Sequence, residues 1–229
     1  MRYRVLHRWN VDPREAIAIQ NDLKSRLVLR AVDRTFKIAA GVDLAFSKTG
    51  KMAVAVIVVL DEKMNVVESV HAWVEVGYPY IPGLLVFREG PAFLKAWEKL
   101  RTEPDVVFFD GQGIAHPRGI GIASHMGLFI EKPTLGVAKS RLYGRHKPVG
   151  NEQGDMVPVF DDFGKIIGMV LRTRKNVKPV YVSPGHLMDV ETAVELTQKW
   201  LMGYRLPEPT RLAHKFAGTL KKQGESFLR

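Results

Sequence analysis

Apolar residues recur along this chain with two different periods, and the points where the period changes predict its elements. Ala16, Ile19, Leu23 and Leu27 share one helical face behind Asp12-Pro13, and Glu15 stands at capping-box spacing from Asp12. Three apolar segments follow, 36–46, 52–60 and 66–76, joined by short links carrying Gly, Asn, Asp and Lys. They predict an antiparallel meander. Helical spacing returns at Ala92, Phe93, Ala96, Trp97 and Leu100, with Pro91 placed in the first turn.

The run Val106-Val107-Phe108-Phe109 lies between Asp105 and Asp110 and reads as a short strand buried on both faces. A helix over 120–131 and a buried strand over 134–138 come next, and this alternation favours a parallel second half of the sheet. Segments 157–160, 166–172 and 180–183 predict a small extra β segment at an edge. Ser183-Pro184-Gly185 is expected to open a helix through Leu187, Val190, Val194 and Leu201. A last short helix is expected from Thr210 through Leu220, with a tail over 221–229 that frays. No repeat or long linker divides the chain. The expected fold class is α/β, one domain over 1–229, with a mixed sheet and helices on both faces.

Composition narrows the function classes. Hydrophobic residues make up 46% and charged residues 25%, as in ordinary globular proteins. No apolar run approaches the roughly 18 residues of a membrane span. The 34 basic and 24 acidic residues give a net charge of +10, which points to a polyanion, either nucleic acid or an anionic surface. With no cysteine, any metal must be held by oxygen or nitrogen. The first residues, Met1-Arg2-Tyr3-Arg4-Val5-Leu6, lack the apolar core of a secretory signal, so a cytoplasmic protein is expected.

Several polar residues interrupt the apolar pattern. Asp110 ends its buried strand at a Gly-x-Gly loop, where it either caps a turn or performs chemistry. Asp43 lies inside an otherwise apolar strand, which is costly unless a cation or several donors meet it. If these strands are neighbours their carboxylates converge, and facing carboxylates repel unless a divalent ion lies between them. Oxygen ligands favour Mg²⁺ or Mn²⁺. Glu89 is placed at the mouth of a helix, where a negative charge is also favourable for structural reasons. His214 falls among apolar neighbours on the last helix, and Lys139 follows the 134–138 strand; either could be merely packed or solvated. Pro79-Tyr80-Ile81-Pro82 is a stiff loop whose tyrosine serves as a wedge between bases or folds into a hydrophobic contact.

Nine motifs in one order carry a resemblance. They are Gly41-Val42-Asp43, the 79–85 loop, Phe87-Arg88-Glu89-Gly90, Asp110-Gly111-Gln112-Gly113, Ala115-His116-Pro117-Arg118, Ala123-Ser124-His125, Gly136-Val137-Ala138-Lys139-Ser140, Ser183-Pro184-Gly185-His186 and Arg211-Leu212-Ala213-His214. Together they resemble endonuclease V, the deoxyinosine-specific repair nuclease, over roughly residues 5–222, whereas 144–154 and the tail match no motif. The resemblance implies an RNase H-like fold and Mg²⁺-dependent cleavage of the second phosphodiester bond 3′ to a deaminated base, leaving 3′-hydroxyl and 5′-phosphate ends. Mn²⁺ is expected to substitute.

Within that scheme Asp43 and Asp110 hold the metal with Glu89 close by, His214 places or deprotonates water, and Lys139 steadies the phosphate. Pro79, Tyr80, Ile81 and Pro82 form the wedge. Leu85, Gly111, Gly113, Gly121, Ile122 and Leu142 form the base pocket, and Arg88, His116 and Ser140 meet the DNA backbone. The implied partner is double- or single-stranded DNA containing deoxyinosine, or RNA containing inosine, with no membrane and a monomeric protein. Two other readings are a nuclease of the same fold with different substrates and a basic binding module whose acids are structural.

Overall fold

The structure, a computed structural model, describes residues 1–30 and 35–227. Eight strands form one mixed sheet in the order β3-β2-β1-β4-β5-β8-β7-β6. The predicted meander is β1 (Ala39–Phe46), β2 (Met52–Leu60) and β3 (Val66–Glu75), paired antiparallel. β4 (Val106–Phe109) joins β1 in parallel, and β5 (Thr134–Ala138) joins β4 in parallel. The predicted edge addition is β6 (Met156–Phe160), β7 (Ile166–Leu171) and β8 (Val180–Pro184), which continue the same sheet antiparallel beyond β5.

Helices cover both faces. α1 (Pro13–Lys24) starts as the capping signal requires, with the Asp12 side chain accepting from the Arg14 and Glu15 amides. It packs with α2 (Leu85–Trp97) and α3 (Ile122–Ile130) on the face that carries Val42, Val107 and Phe109. α4 (Val190–Lys199) and α5 (Glu208–Phe227) cover the opposite face, with Ala39, Val106, Phe108, Leu135 and Val137. Successive strand residues alternate faces, so Asp43, Asp110 and Lys139 all continue the alternation on the α5 side.

Three expectations are corrected. α2 starts six residues before Pro91, so Glu89 lies within the helix rather than at its mouth. A proline normally pushes the preceding residue out of helical geometry through a clash with that residue's Cβ; here that residue is Gly90, which has none. Ser183-Pro184 closes β8 instead of opening a helix, and α4 begins later because Asp189 supplies a stronger cap, accepting from the Thr192 amide. The last helix is not short: α5 runs 20 residues through Lys221-Lys222-Gln223, all good helix formers, while residues 228–229 of the predicted fraying tail lie outside the described residues.

The contact that positions α5 is steric. A Cβ on Gly41 would lie 2.0 Å from the Pro209 carbonyl carbon, so only glycine lets the start of α5 press against β1. Gly41→Ala is therefore expected to force the helix outward and cost more than about 2 kcal/mol. Denaturant unfolding checks this, and an unchanged midpoint would contradict it.

Candidate active site

β1 and β4 are paired with Val42 opposite Phe109, and the Asp110 amide donates to the Val42 carbonyl at 3.2 Å. The next residue on each strand is an aspartate. Ligand atoms of Asp43, Asp110 and His214 all lie within 4.8 Å of one another. The His214 ring comes from α5, whose Ala213 and Ala217 bury against the sheet, and its Nδ1 meets Asp43 Oδ2 at 3.0 Å. Lys139, just past β5, pairs its Nζ with Asp110 and lies 3.5 Å from His214 Nδ1. The carboxylate favours a proton on Nδ1 and the ammonium favours a lone pair there; the contact to Asp43 is the shorter of the two, so Nδ1–H is assigned as donating to Asp43.

Burial pushes the Asp43 carboxyl up to about 6, and the Asp110 charge adds to this, against the opposing pull of His214 and Lys139. Glu89 reaches the same edge from α2, on the other face of the sheet, and stays outside the three-residue cluster. It keeps some exposure to solvent, yet protein surrounds it closely enough to push its carboxyl up to about 7, with Asp43 and Asp110 contributing. Such a set fits a hard divalent cation: two close carboxylates that disfavour each other's ionisation, an imidazole, and no sulfur. Asp43, Asp110 and His214 are close enough to one another to share such an ion, and Glu89 lies beside them.

Asp110 and Glu89 open into a cavity of about 320 Å³, whose lining does not include Asp43. Asp110, Lys139, Ser140 and Glu89 line one part of it; Tyr80, Leu85, Ile122 and Leu142 line the rest. Gly111 and Gly121 line it, and the backbone is packed too closely around Gly121, and around Gly136 behind the lining, to admit a side chain. A Cβ on Gly136 would meet the Gly111 carbonyl at 2.3 Å, and one on Gly121 would meet the Gln112 carbonyl at 2.3 Å. Gly121 cannot cap α3 with a side chain, and the Ile122 N–H has no hydrogen-bond partner among the described residues.

The sequence model of endonuclease V matches residues 21–215. The chain belongs to the endonuclease V family. Endonuclease V of Kosmotoga olearia is 52% identical over 222 residues, covering 97% of this chain and 98% of that one. The crystal structure of the Bacillus subtilis endonuclease V superposes with a TM-score of 0.93 at 33% identity, covering 99% of both chains. Endonuclease V of Ciona intestinalis, crystallised in complex with a 24mer DNA containing an inosine followed by a ribo-adenosine, superposes at 0.81 with 26% identity, covering 92% of this chain and 98% of that one. The fold is accordingly RNase H-like, as the resemblance implied.

The remaining residues assigned from the endonuclease V motifs fall as follows. Tyr80 stands 69% exposed on a loop tied down at both ends. Arg88 donates to the Tyr78 carbonyl at 2.8 Å and to the Gly50 carbonyl at 3.3 Å, while stacking 4.6 Å over Phe46, so its guanidinium is occupied within the protein. Pro82 and Gly83 form a turn with Gly83 at φ +81°, and the Gly83 carbonyl accepts from Gln20, His116 and Arg118. His116 is buried and held down to about 4, mainly by burial, with Arg118 adding to it. Its Nδ1 accepts from the Arg118 amide and its Nε2–H donates to Gly83, which ties it to the loop that carries Tyr80. Ser140 is exposed, and its carbonyl accepts from Gln112.

The Gly111 amide already donates to Phe109, and the Gly113 amide to Ser183 Oγ at 2.8 Å. Gly113 lies behind the cavity, against Pro184, rather than in its lining. Sequence reasoning missed Gln20 and Arg205. Arg205 donates to the carbonyls of Lys139, Lys178 and Pro179, which clamps the backbone that carries Lys139. Gln20 breaks the apolar stripe of α1 between Ala16 and Leu23, a signal that was there to be read, whereas Arg205 interrupts no apolar pattern.

The two raised carboxyls set a pH dependence. In the metal-free protein the folded state keeps protons on Asp43 and Glu89 that the unfolded chain has released. Their contribution is present below the usual carboxylate range and is lost as pH rises through about 6 and about 7. Between about pH 4.5 and about pH 8 the loss from the two groups together is on the order of 5 kcal/mol. Thermal melts in chelator should decline over that window for the wild type, and much less for Asp43→Asn/Glu89→Gln. Parallel curves for the two proteins would contradict the burial assigned to these acids.

Proposed function

We propose that this protein cuts nucleic acid at a deaminated purine, chiefly deoxyinosine, hydrolysing the second phosphodiester bond 3′ to the lesion and leaving 3′-hydroxyl and 5′-phosphate ends. The observation that carries this reading is that Asp110 and Lys139 line the same small cavity as Leu85, Ile122 and Leu142. A base everted into that cavity would draw its neighbouring phosphates across the acids. Mg²⁺, for which Mn²⁺ would substitute, would be held by Asp43 and Asp110 with Glu89 alongside, and when bound it supplies Lewis-acid polarisation of the phosphate and a more acidic water.

The chain's own groups do the rest. His214, held through Nδ1 against Asp43, would place or deprotonate the attacking water through its other ring nitrogen. Lys139 offsets charge on the phosphate from its place beside Asp110. Tyr80, on its doubly anchored loop with Pro79, Ile81 and Pro82, fills the gap that the everted base leaves. The Ile122 amide at the uncapped start of α3 is the donor suited to the base. Hypoxanthine offers an acceptor where adenine carries an amino group, so a fixed N–H rejects adenine through two facing donors. The likeness to the Ciona protein, whose bound DNA carries an inosine followed by a ribo-adenosine, supports this substrate and favours inosine-containing RNA as a second one.

An end-labelled duplex with one central inosine, with and without Mg²⁺ and with the break mapped to the nucleotide, tests the assignment. Asp110→Ala should lower cutting by at least roughly a hundredfold while lesion binding persists; cutting at the wild-type rate would remove the metal assignment. Tyr80→Ala should reduce the preference for inosine over normal DNA more than it reduces nonspecific binding, and equal losses would count against a wedge.

A further inference from the structure

A second cavity, of about 460 Å³, lies on the other side of His116, which lines both. Its floor is apolar, made by Ile114, Tyr143 and Ile167. Phe163 stands over it, 94% exposed, at the tip of the β6–β7 turn. That turn is tightly braced. Asp161 Oδ1 accepts from both the Phe163 and Lys165 amides, and Gly164 sits at φ +81°. The ring is thus held out in water by a rigid support.

The charges at the rim are unequal. The Asp161 carboxylate is spent on its own turn, and Asp162 accepts from the Tyr143 hydroxyl. Lys24 and Lys165, on opposite walls, have no acid partner among the described residues. The Lys24 stem lies across Gly119, where a Cβ would come 3.0 Å from its Cε.

An apolar floor, a presented aromatic ring and free ammonium groups are what an unstacked nucleotide requires: a π-face for the base and cations for its phosphates. A paired duplex would have no use for the concave floor. We infer that this cavity holds an unpaired nucleotide flanking the lesion, its base against Phe163 and its phosphates toward Lys24 and Lys165. His116 is a wall shared with the cavity that Asp110 lines, so placing the lesion next door rests on the nuclease reading.

Fluorescence anisotropy in chelator, where no cutting occurs, tests this with three probes: an inosine duplex, the same duplex with single-stranded flanks, and an inosine-free single strand. Phe163→Ala should weaken binding of the two probes with unpaired nucleotides by about tenfold, leave the plain duplex unchanged, and be rescued by Phe163→Trp. Equal affinity of wild type and Phe163→Ala for all probes, or equal loss on all, would overturn it. If the wild type shows no preference for inosine yet Phe163→Ala still loses affinity for the single strand, the lesion reading fails while the nucleotide cavity stands. Phe163 is fully on the surface, so the substitution leaves the fold intact.

Discussion

The parallel pairing of β1 with β4 holds Asp43 and Asp110 on the same face of the sheet, and neither strand can slip by one residue without turning its acid to the opposite face. That constraint is costly in isolation. One carboxyl is buried, the other is close enough to disfavour its ionisation, and Glu89 adds a third negative group at the same edge. The surrounding structure answers with His214 on α5 and Lys139 past β5, both directed at the acids. A sheet edge built this way is stable when cations meet it and strained when they do not, which is the condition a hydrolytic metal site exploits.

Around that edge, precision comes from close backbone approach and from carbonyls that collect donors. Gly41 lets the start of α5, and Gly121 and Gly136 let the 111–113 loop, approach closer than any side chain permits. The Gly83 carbonyl gathers three donors and roots the loop that presents Tyr80, while Arg205 gathers three carbonyls and fixes the strand end that presents Lys139. In both places a polar network takes up conformational freedom that the presented side chain would otherwise keep.

Much of this was legible from periodicity. The meander, the four-residue strand ahead of Asp110 and the capped first helix read directly, because each carries a strong local signal. The convergence of Asp43 and Asp110 was legible as a condition on neighbouring strands, and the pairing meets that condition. The start of α2 was not, since a proline hides a helix unless its glycine neighbour is taken into account. Nor was the fate of the Gly111 and Gly113 amides, which are used by Phe109 and Ser183, the latter 70 residues away from Gly113. Arg205 and the rim of the second cavity depend on long-range packing alone, and no local pattern marks them; Gln20 is marked only as a polar residue on the apolar face of α1.

Calorimetric titration of Mn²⁺ into the wild-type protein, Asp43→Asn and Asp110→Asn bears most directly on whether the paired acids form a cation site. Saturable uptake by the wild type, weakened at least about tenfold in each variant, is the expected result. A wild type that takes up no divalent ion, or variants that bind it as tightly, would contradict the role given to the β1–β4 pairing.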